Sequence, residues 1–284
     1  MPSQAWWGRC AMIGNVTFGQ YYPRDSVIHR MDPRAKILLT VFYIVAVFFV
    51  KHYSGFILTA ALLLTTIALS RVPLRTVLRS VKAVIFLIVF TVVLNVLFYQ
   101  GESVDWEWSF WIITVKDTAI DFAATMAMRL LFLVMGTSIL TFTTTPMELT
   151  DGIESLLKPL SYIKVPVHDI AIIMSIALRF IPTLTEETDK IMMAQRSRGA
   201  NYEEGKLLSK AKALVPVLIP LFVSAFRRAD ELSYAMDSRC YNATKHRTRR
   251  KVLKLKFRDY MAFFVLIAYF LLILTDNIVF LGLL

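Results

Sequence analysis

Five apolar runs constrain this chain more than any other feature. They are ILLTVFYIVAVFFV (37–50), GFILTAALLLTTIALS (55–70), AVIFLIVFTVVLNVLFY (83–99), a stretch from Ile120 to Phe142, and YMAFFVLIAYFLLILTDNIVFLGLL (260–284). Within hydrocarbon every backbone N–H and C=O must be satisfied inside the protein, so segments of this kind cross a bilayer as helices. At 56% hydrophobic and 19% charged residues the chain is too apolar for a soluble domain of its length. The expected fold is an all-α integral membrane protein with about five transmembrane helices plus long, kinked cytoplasmic helices. The first two runs form a tight helical hairpin around KHYS. Each covers only ~21 to 24 Å of a ~30 Å core, so snorkelling Lys36, Lys51 and Arg71 must help them span.

Charge sets the topology. A formal net charge of +11 would suggest nucleic acid in a soluble protein. In a membrane protein clustered Lys and Arg first mark the cytoplasmic loops, and no nucleic-acid partner is expected. RVPLRTVLRSVK (71–82) and KHRTRRKVLKLKFR (245–258) carry many basic residues and no acid. Both belong inside. GESVDWEWSFWIITVKD (101–117), with acids and tryptophans, suits the outer membrane surface. The resulting division is a cytoplasmic N-terminal segment 1–36, transmembrane helices 1 to 4 over 37–145, a cytoplasmic or interfacial region 146–257, and a last transmembrane helix in 258–284. In a cell membrane this puts the N-terminus in the cytoplasm and the C-terminus outside. No pattern of a removed signal peptide is seen at the start. Arg129, within the fourth span, is either a functional charge facing the bundle interior or half of a buried ion pair with Asp121.

The region 146–257 holds two further apolar runs, 170–184 and 213–226. If both crossed, the basic stretch between them would lie outside, against the charge trend. They read instead as stems of long helices, with Pro182, Pro216 and Pro220 as possible hinges and polar ends in the cytosol. PMELTDGIESLLKPL (146–160) adds a shorter amphipathic helix.

Each long helix ends in the same signature. AQRSRGAN at 194–201 returns as AMDSRCYN at 235–242, 41 residues later. Ala194 and Arg198 share a helix face, as do Ala235 and Arg239, with Ser197 and Ser238 between them. A small residue one turn before an arginine lets a helix sink into a groove while the guanidinium reaches a carboxylate or backbone carbonyls. Gly199 falls where a left-handed cap belongs. In the second copy Cys240 takes that place, and Asn242 is the better cap candidate. Two copies call for a partner with two equivalent sites, as a dimer or pseudo-dimer supplies.

What is missing narrows the chemistry. There is no GxxxxGK[ST], GxGxxG, HExxH or GxSxG, the four histidines are scattered singly, and the two cysteines, Cys10 and Cys240, fall in cytoplasmic segments. No metal site or disulfide is expected. Any nucleotide must bind a different chain.

With the paired signatures, SVIHRMDPRAKILL (26–39), TTTPMELTDGIESLLKPL (143–160), SIALRFIPTLTEE (175–187) and KALVPVLIPLFVSAFRRADELSYAMDSR (212–239) resemble the transmembrane T component of energy-coupling factor transporters, the EcfT/CbiQ family. The resemblance spans nearly the whole chain after residue 20. It implies a non-catalytic subunit below which two ABC-type ATPases sit, often two different but similar proteins that use ATP and Mg. It also implies that Arg198 and Arg239 anchor in one ATPase groove each. The long helices would then carry nucleotide-driven motion to a separate membrane S component that captures the vitamin or other micronutrient. Ser at 197 and 238 stands for the family's Ala, and Cys240 for its Gly. The N-terminal stretch is similar to the type shared among several vitamin-specific S components.

Two other classes are weighed from the residues alone. A self-contained secondary transporter should show intramembrane acids or span-level symmetry, yet the visible repeat is cytoplasmic. An intramembrane enzyme should show converging catalytic groups, and none are apparent.

Overall fold

A computed structural model of the chain describes residues 21–98, 107–110, 113–163, 166–200, 207–241 and 255–282. The chain divides into two compact units, one of residues 19–167 with 253–284 and one of residues 168–252 with 1–18.

The larger unit is a helix bundle. Helices α1 (Pro33–Phe48), α2 (Tyr53–Ser70), α3 (Leu74–Phe98), α4 (Asp117–Thr143), α5 (Pro146–Leu157) and α8 (Phe257–Gly282) build it, with a 3₁₀ turn at Lys158–Ile163. Its helix starts are written locally. Asp32 accepts a hydrogen bond from the Arg34 N–H with Pro33 at the first helical position, and Thr145 does the same for Glu148 with Pro146 behind it. The core joins α1, α2, α4 and α8 through Tyr43, Val47, Phe56, Leu63, Ile139, Phe142, Leu266 and Ile273. One buried polar link crosses it, Thr59 Oγ1 to Tyr269 Oη at 2.7 Å. Gly136 lets α4 touch the Tyr43 ring, because a Cβ there would stand 2.1 Å from Tyr43 Cε1.

Among the described residues five helices are long and apolar enough to cross a membrane, but they differ from the expected five. They are Tyr53–Ser70, Leu74–Phe98, Thr118–Thr143, Val167–Ser197 and Phe257–Val279. The run at 37–50 is housed in α1, whose 16 residues rise only ~24 Å and fall short. The helix holding 170–184 qualifies instead, since its apolar stem continues unbroken into its polar end. The basic stretch 71–82 is also mostly helix, with Arg75, Arg79 and Lys82 on the first turns of α3. None of the apolar window of α3 is buried.

Between α3 and α4 lies a short antiparallel hairpin, β1 (Glu107–Phe110) and β2 (Ile113–Lys116), paired from Glu107↔Lys116 to Phe110↔Ile113, a small addition to an otherwise helical set of described residues. One pairing weighed from the sequence is corrected. Arg129 and Asp121 do not pair. They lie ~12 Å apart along α4, and each has a nearer partner. Arg129 Nη2 donates to the Val50 carbonyl at 2.9 Å, just beyond the end of α1, where carbonyls lack helical donors. Its guanidinium lies over the Phe48 ring at 5.8 Å. Asp121 accepts from Tyr53 Oη at 3.1 Å.

In the smaller unit two helices dominate, α6 (Val167–Ser197) and α7 (Leu207–Ser238). Pro182 lies inside α6 and Pro216 and Pro220 inside α7, and both helices run through them without a break.

Candidate functional site

The two signatures close their helices in the same way. At the end of α6 the Ala200 N–H donates to Gln195 O at 3.0 Å and the Gly199 N–H to Arg196 O at 2.9 Å. At the end of α7 the Tyr241 N–H donates to Met236 O at 3.0 Å and the Cys240 N–H to Asp237 O at 2.9 Å. This is the nested 6→1 and 5→2 pair of a Schellman cap, formed twice. It requires a left-handed residue, and Gly199 (φ 88°) and Cys240 (φ 54°) supply it. The cap of the second copy therefore sits on Cys240 and not on Asn242, which lies outside the described residues. Cys accepts a conformation that costs an L-residue ~1–2 kcal/mol because the closing hydrogen bonds hold it there.

The same cap gives the same display. Ala194, Ser197, Arg198 and Gly199 are exposed, and so are Ala235, Ser238, Arg239 and Cys240. Arg198 and Arg239 are the last residues before the left-handed turn, and neither has a hydrogen bond or ion pair among the described residues. Their neighbouring serines turn inward, Ser197 Oγ donating to Met193 O and Ser238 Oγ to Ala235 O. Each tip thus offers a small face and a guanidinium with no side-chain partner among the described residues.

The repeat extends well behind the tips, a feature the sequence reading missed. Glu187 on α6 accepts from Arg228 Nη2 at 3.0 Å and from Ser224 Oγ, with both charged side chains half-buried. Glu187 and Arg228 are 41 residues apart, the spacing of the signatures themselves. They are therefore equivalent positions of the two copies, and the pair that meets there marks a local pseudo-two-fold axis. Gln195 Nε2 reaches Pro216 O at 3.3 Å, so the helices run antiparallel across that axis. Roughly 16 Å of helix then leads from the axis to Arg198 and the same to Arg239, in opposite directions. An exact two-fold would bring like residues together at the axis. Glu facing Arg replaces that repulsion with attraction. The sequence signal was available: under the offset that aligns the tips, Glu186-Glu187 falls on Arg227-Arg228.

The bundle has its own ordered site at SVIHRMDPRAK (26–36). Ser26 Oγ contacts His29 Nδ1 at 2.7 Å and accepts from the His29 N–H, while His29 Nε2 faces the Tyr22 carbonyl at 3.0 Å. Because a carbonyl only accepts, Nε2 carries the proton, and a neutral imidazole satisfies every contact. Burial lowers the His29 pKa from its usual value, Lys36 pushes the same way, and the Tyr22 carbonyl opposes both. Lys36 Nζ donates to His29 O at 3.2 Å and Thr143 O at 2.8 Å. Asp259, fully buried, accepts from the Asp32 and Lys256 N–H groups. The motif is a clasp holding the start of α1, the end of α4 and the start of α8 together.

Comparison with known proteins agrees with this arrangement. Residues 24–250 match the model of the CbiQ family, described as a cobalt transport protein. The chain is 51% identical over 252 residues to the energy-coupling factor transporter transmembrane protein EcfT of Clostridium kluyveri, covering 88% of this chain and 93% of that one. It is 49% identical to the protein of the same name from Ruminiclostridium cellulolyticum, over 86% of this chain and 90% of the other. A third, from Acidaminococcus fermentans, is 45% identical over 92% of this chain and 97% of its own length. With multi-pass apolar helices, paired tips and this likeness along nearly its whole length, the chain belongs to the CbiQ family as a transmembrane (T) component of energy-coupling factor transporters.

Proposed function

We propose that this T component docks two ABC-type ATPase subunits, one through Arg198 and one through Arg239, and passes their nucleotide-driven motion to a membrane-embedded S component. The single observation that carries the reading is the pseudo-two-fold placement of two identically capped arginine tips, with no side-chain partner of their own among the described residues. A pair of similar ATPases presents two equivalent grooves about one axis, and a receptor pair of that kind suits a pseudo-symmetric ligand pair. The chain itself is non-catalytic, with ATP and Mg handled by the ATPases and the vitamin or other micronutrient by the S component. Difference between the two ATPases fits the difference between the tips, Gly199 against Cys240.

In this reading α6 and α7 lie with apolar stems toward the membrane and tips in the cytoplasm. The N-terminus is cytoplasmic, and α8 leaves the C-terminus outside. Pro182, Pro216 and Pro220 are places where bending costs little, because proline already lacks the N–H of a helical hydrogen bond. Since α6 and α7 share the Glu187–Arg228 pair, a push on one tip is transmitted to the other helix at the axis.

Co-purification tests the docking. The Arg198→Glu, Arg239→Glu double variant should insert in the membrane and lose its ATPases, because each reversed charge meets the same groove. An undiminished ATPase yield from the double variant would overturn the proposal. A self-contained secondary transporter would instead move substrate in vesicles without ATP.

A further inference from the structure

The bundle encloses a second feature that T-component function leaves unexplained. A cavity of about 430 Å³ opens between α1, α2, α4 and α8 at the end where the 26–36 clasp sits. That volume is in the range of small-molecule sites. The polar groups on its wall are turned away from it. Thr40, Thr65 and Thr66 each donate to the carbonyl four residues back on their own helix, and Tyr43 Oη donates to Phe132 O. Lys36 Nζ is held by two backbone carbonyls. What the wall presents to an occupant is therefore aliphatic, and a polar solute would find few partners there.

The rim is the opposite. A second pocket shares Val27, Leu69 and Arg258 with the cavity and adds Arg30, Arg71 and Asp25. Asp25 pairs with Arg30 at 3.3 Å in an exposed contact. The side chain of Arg71, the left-handed capping residue of α2 (φ 56°), makes among the described residues only a 3.5 Å contact to the Asp25 carbonyl. Arg258 has no hydrogen bond or ion pair among the described residues. Two under-used guanidinium groups thus stand at the mouth of an aliphatic cavity. That mouth lies where α2 ends and α8 begins, at one end of two helices long and apolar enough to cross a membrane.

We propose that this end of the bundle binds one anionic phospholipid, with an acyl chain in the cavity and the headgroup phosphate between Arg71 and Arg258. The chemistry is split as an amphiphile requires. Guanidinium groups take a phosphate by paired charge-assisted hydrogen bonds, and basic pockets between transmembrane helices on the cytoplasmic side suit anionic headgroups. The lipid would fill space between four helices of which the clasp joins only α1, α4 and α8, so it acts as part of the bundle and not as bulk solvent.

The test is native mass spectrometry of the purified full chain in detergent, with added palmitoyl-oleoyl phosphatidylglycerol or phosphatidylcholine. Phosphatidylglycerol is expected to be retained as a single adduct about 10-fold more than phosphatidylcholine. Arg71→Gln with Arg258→Gln should bring its retention down to the phosphatidylcholine level. Ala262→Phe, which fills the cavity from α8, should remove the adduct. The rim variant changes the exposed Arg71 and the half-buried Arg258 and leaves the core side chains in place, so it keeps the test decisive if the cavity-filled chain fails to fold. Millimolar inorganic phosphate should not displace the lipid. Equal retention of the two lipids, or retention unchanged by the rim substitutions, would overturn the proposal. Full displacement by inorganic phosphate would also overturn it, because the site would then bind a free anion and not a lipid.

Discussion

Cys240→Gly should tighten the second tip, and Gly199→Ala should loosen the first. Cys240 sits at φ 54° and Gly199 at φ 88°, both in the left-handed region. An L-residue there costs ~1–2 kcal/mol, while glycine costs ~0.5–1 kcal/mol more in unfolded-chain freedom. The difference leaves about 0.5–1 kcal/mol in favour of glycine at either cap. At Gly199 nothing stands within 4 Å of where a Cβ would be, so the cost of alanine is purely one of backbone. The tips open locally, so global melting will miss the change. Hydrogen exchange of the cap amides reads it directly, since Cys240 and Tyr241 donate the two closing bonds in α7, and Gly199 and Ala200 those in α6. The expected result is two- to fivefold slower exchange at residues 240 and 241 in Cys240→Gly, and a similar acceleration at 199 and 200 in Gly199→Ala. Unchanged exchange in both variants would refute the claim that the two ends share one left-handed cap.

Three further outcomes follow from the packing. Gly136→Ala should lower the melting temperature in detergent sharply, by about 1–3 kcal/mol of stability, because its Cβ would press into a Tyr43 ring held by its hydrogen bond to Phe132 O. Stability should fall as pH drops below about 6.5, since the unfolded His29 takes a proton that the folded, neutral imidazole resists, and His29→Gln should flatten that slope between pH 7.5 and 5.5. A double-mutant cycle on Glu187→Gln and Arg228→Gln, read by melting of the purified chain, should give a coupling of about 1 kcal/mol, and a coupling of zero would remove the pair from the axis.

Local signals are more legible in this sequence than paired ones. The tips were legible because a small residue, an arginine and a cap lie within one turn of each other. The left-handed Cys240 was not, because residue preference at such a cap favours Gly or Asn, and only the closing hydrogen bonds reveal that Cys is held there. For Arg129 the sequence offers only Asp121 as a named partner, because it displays charges, whereas the carbonyl of Val50 that takes the guanidinium is backbone and invisible in the letters. The set of long apolar helices differs from the apolar runs for a related reason. Hydropathy registers the run at 37–50, but the helix that carries it is bounded by the Asp32 cap and the turn at Phe49, leaving it short, while α6 gains length from polar residues beyond its apolar stem. The Glu187–Arg228 pair was in reach, since the offset of the signatures predicts it, but it becomes meaningful only when the helices are seen to run antiparallel.

The central claim is that each tip holds one ATPase subunit, and native mass spectrometry of the complex counts them. Wild type should carry two ATPase subunits, Arg198→Glu and Arg239→Glu should each weaken the hold on one, and the double variant should carry none. A reversed charge at a groove rim costs about 1 kcal/mol and at a desolvated site several, so the single variants will differ according to how deeply each arginine is seated. Two ATPase subunits retained by the double variant would contradict the account.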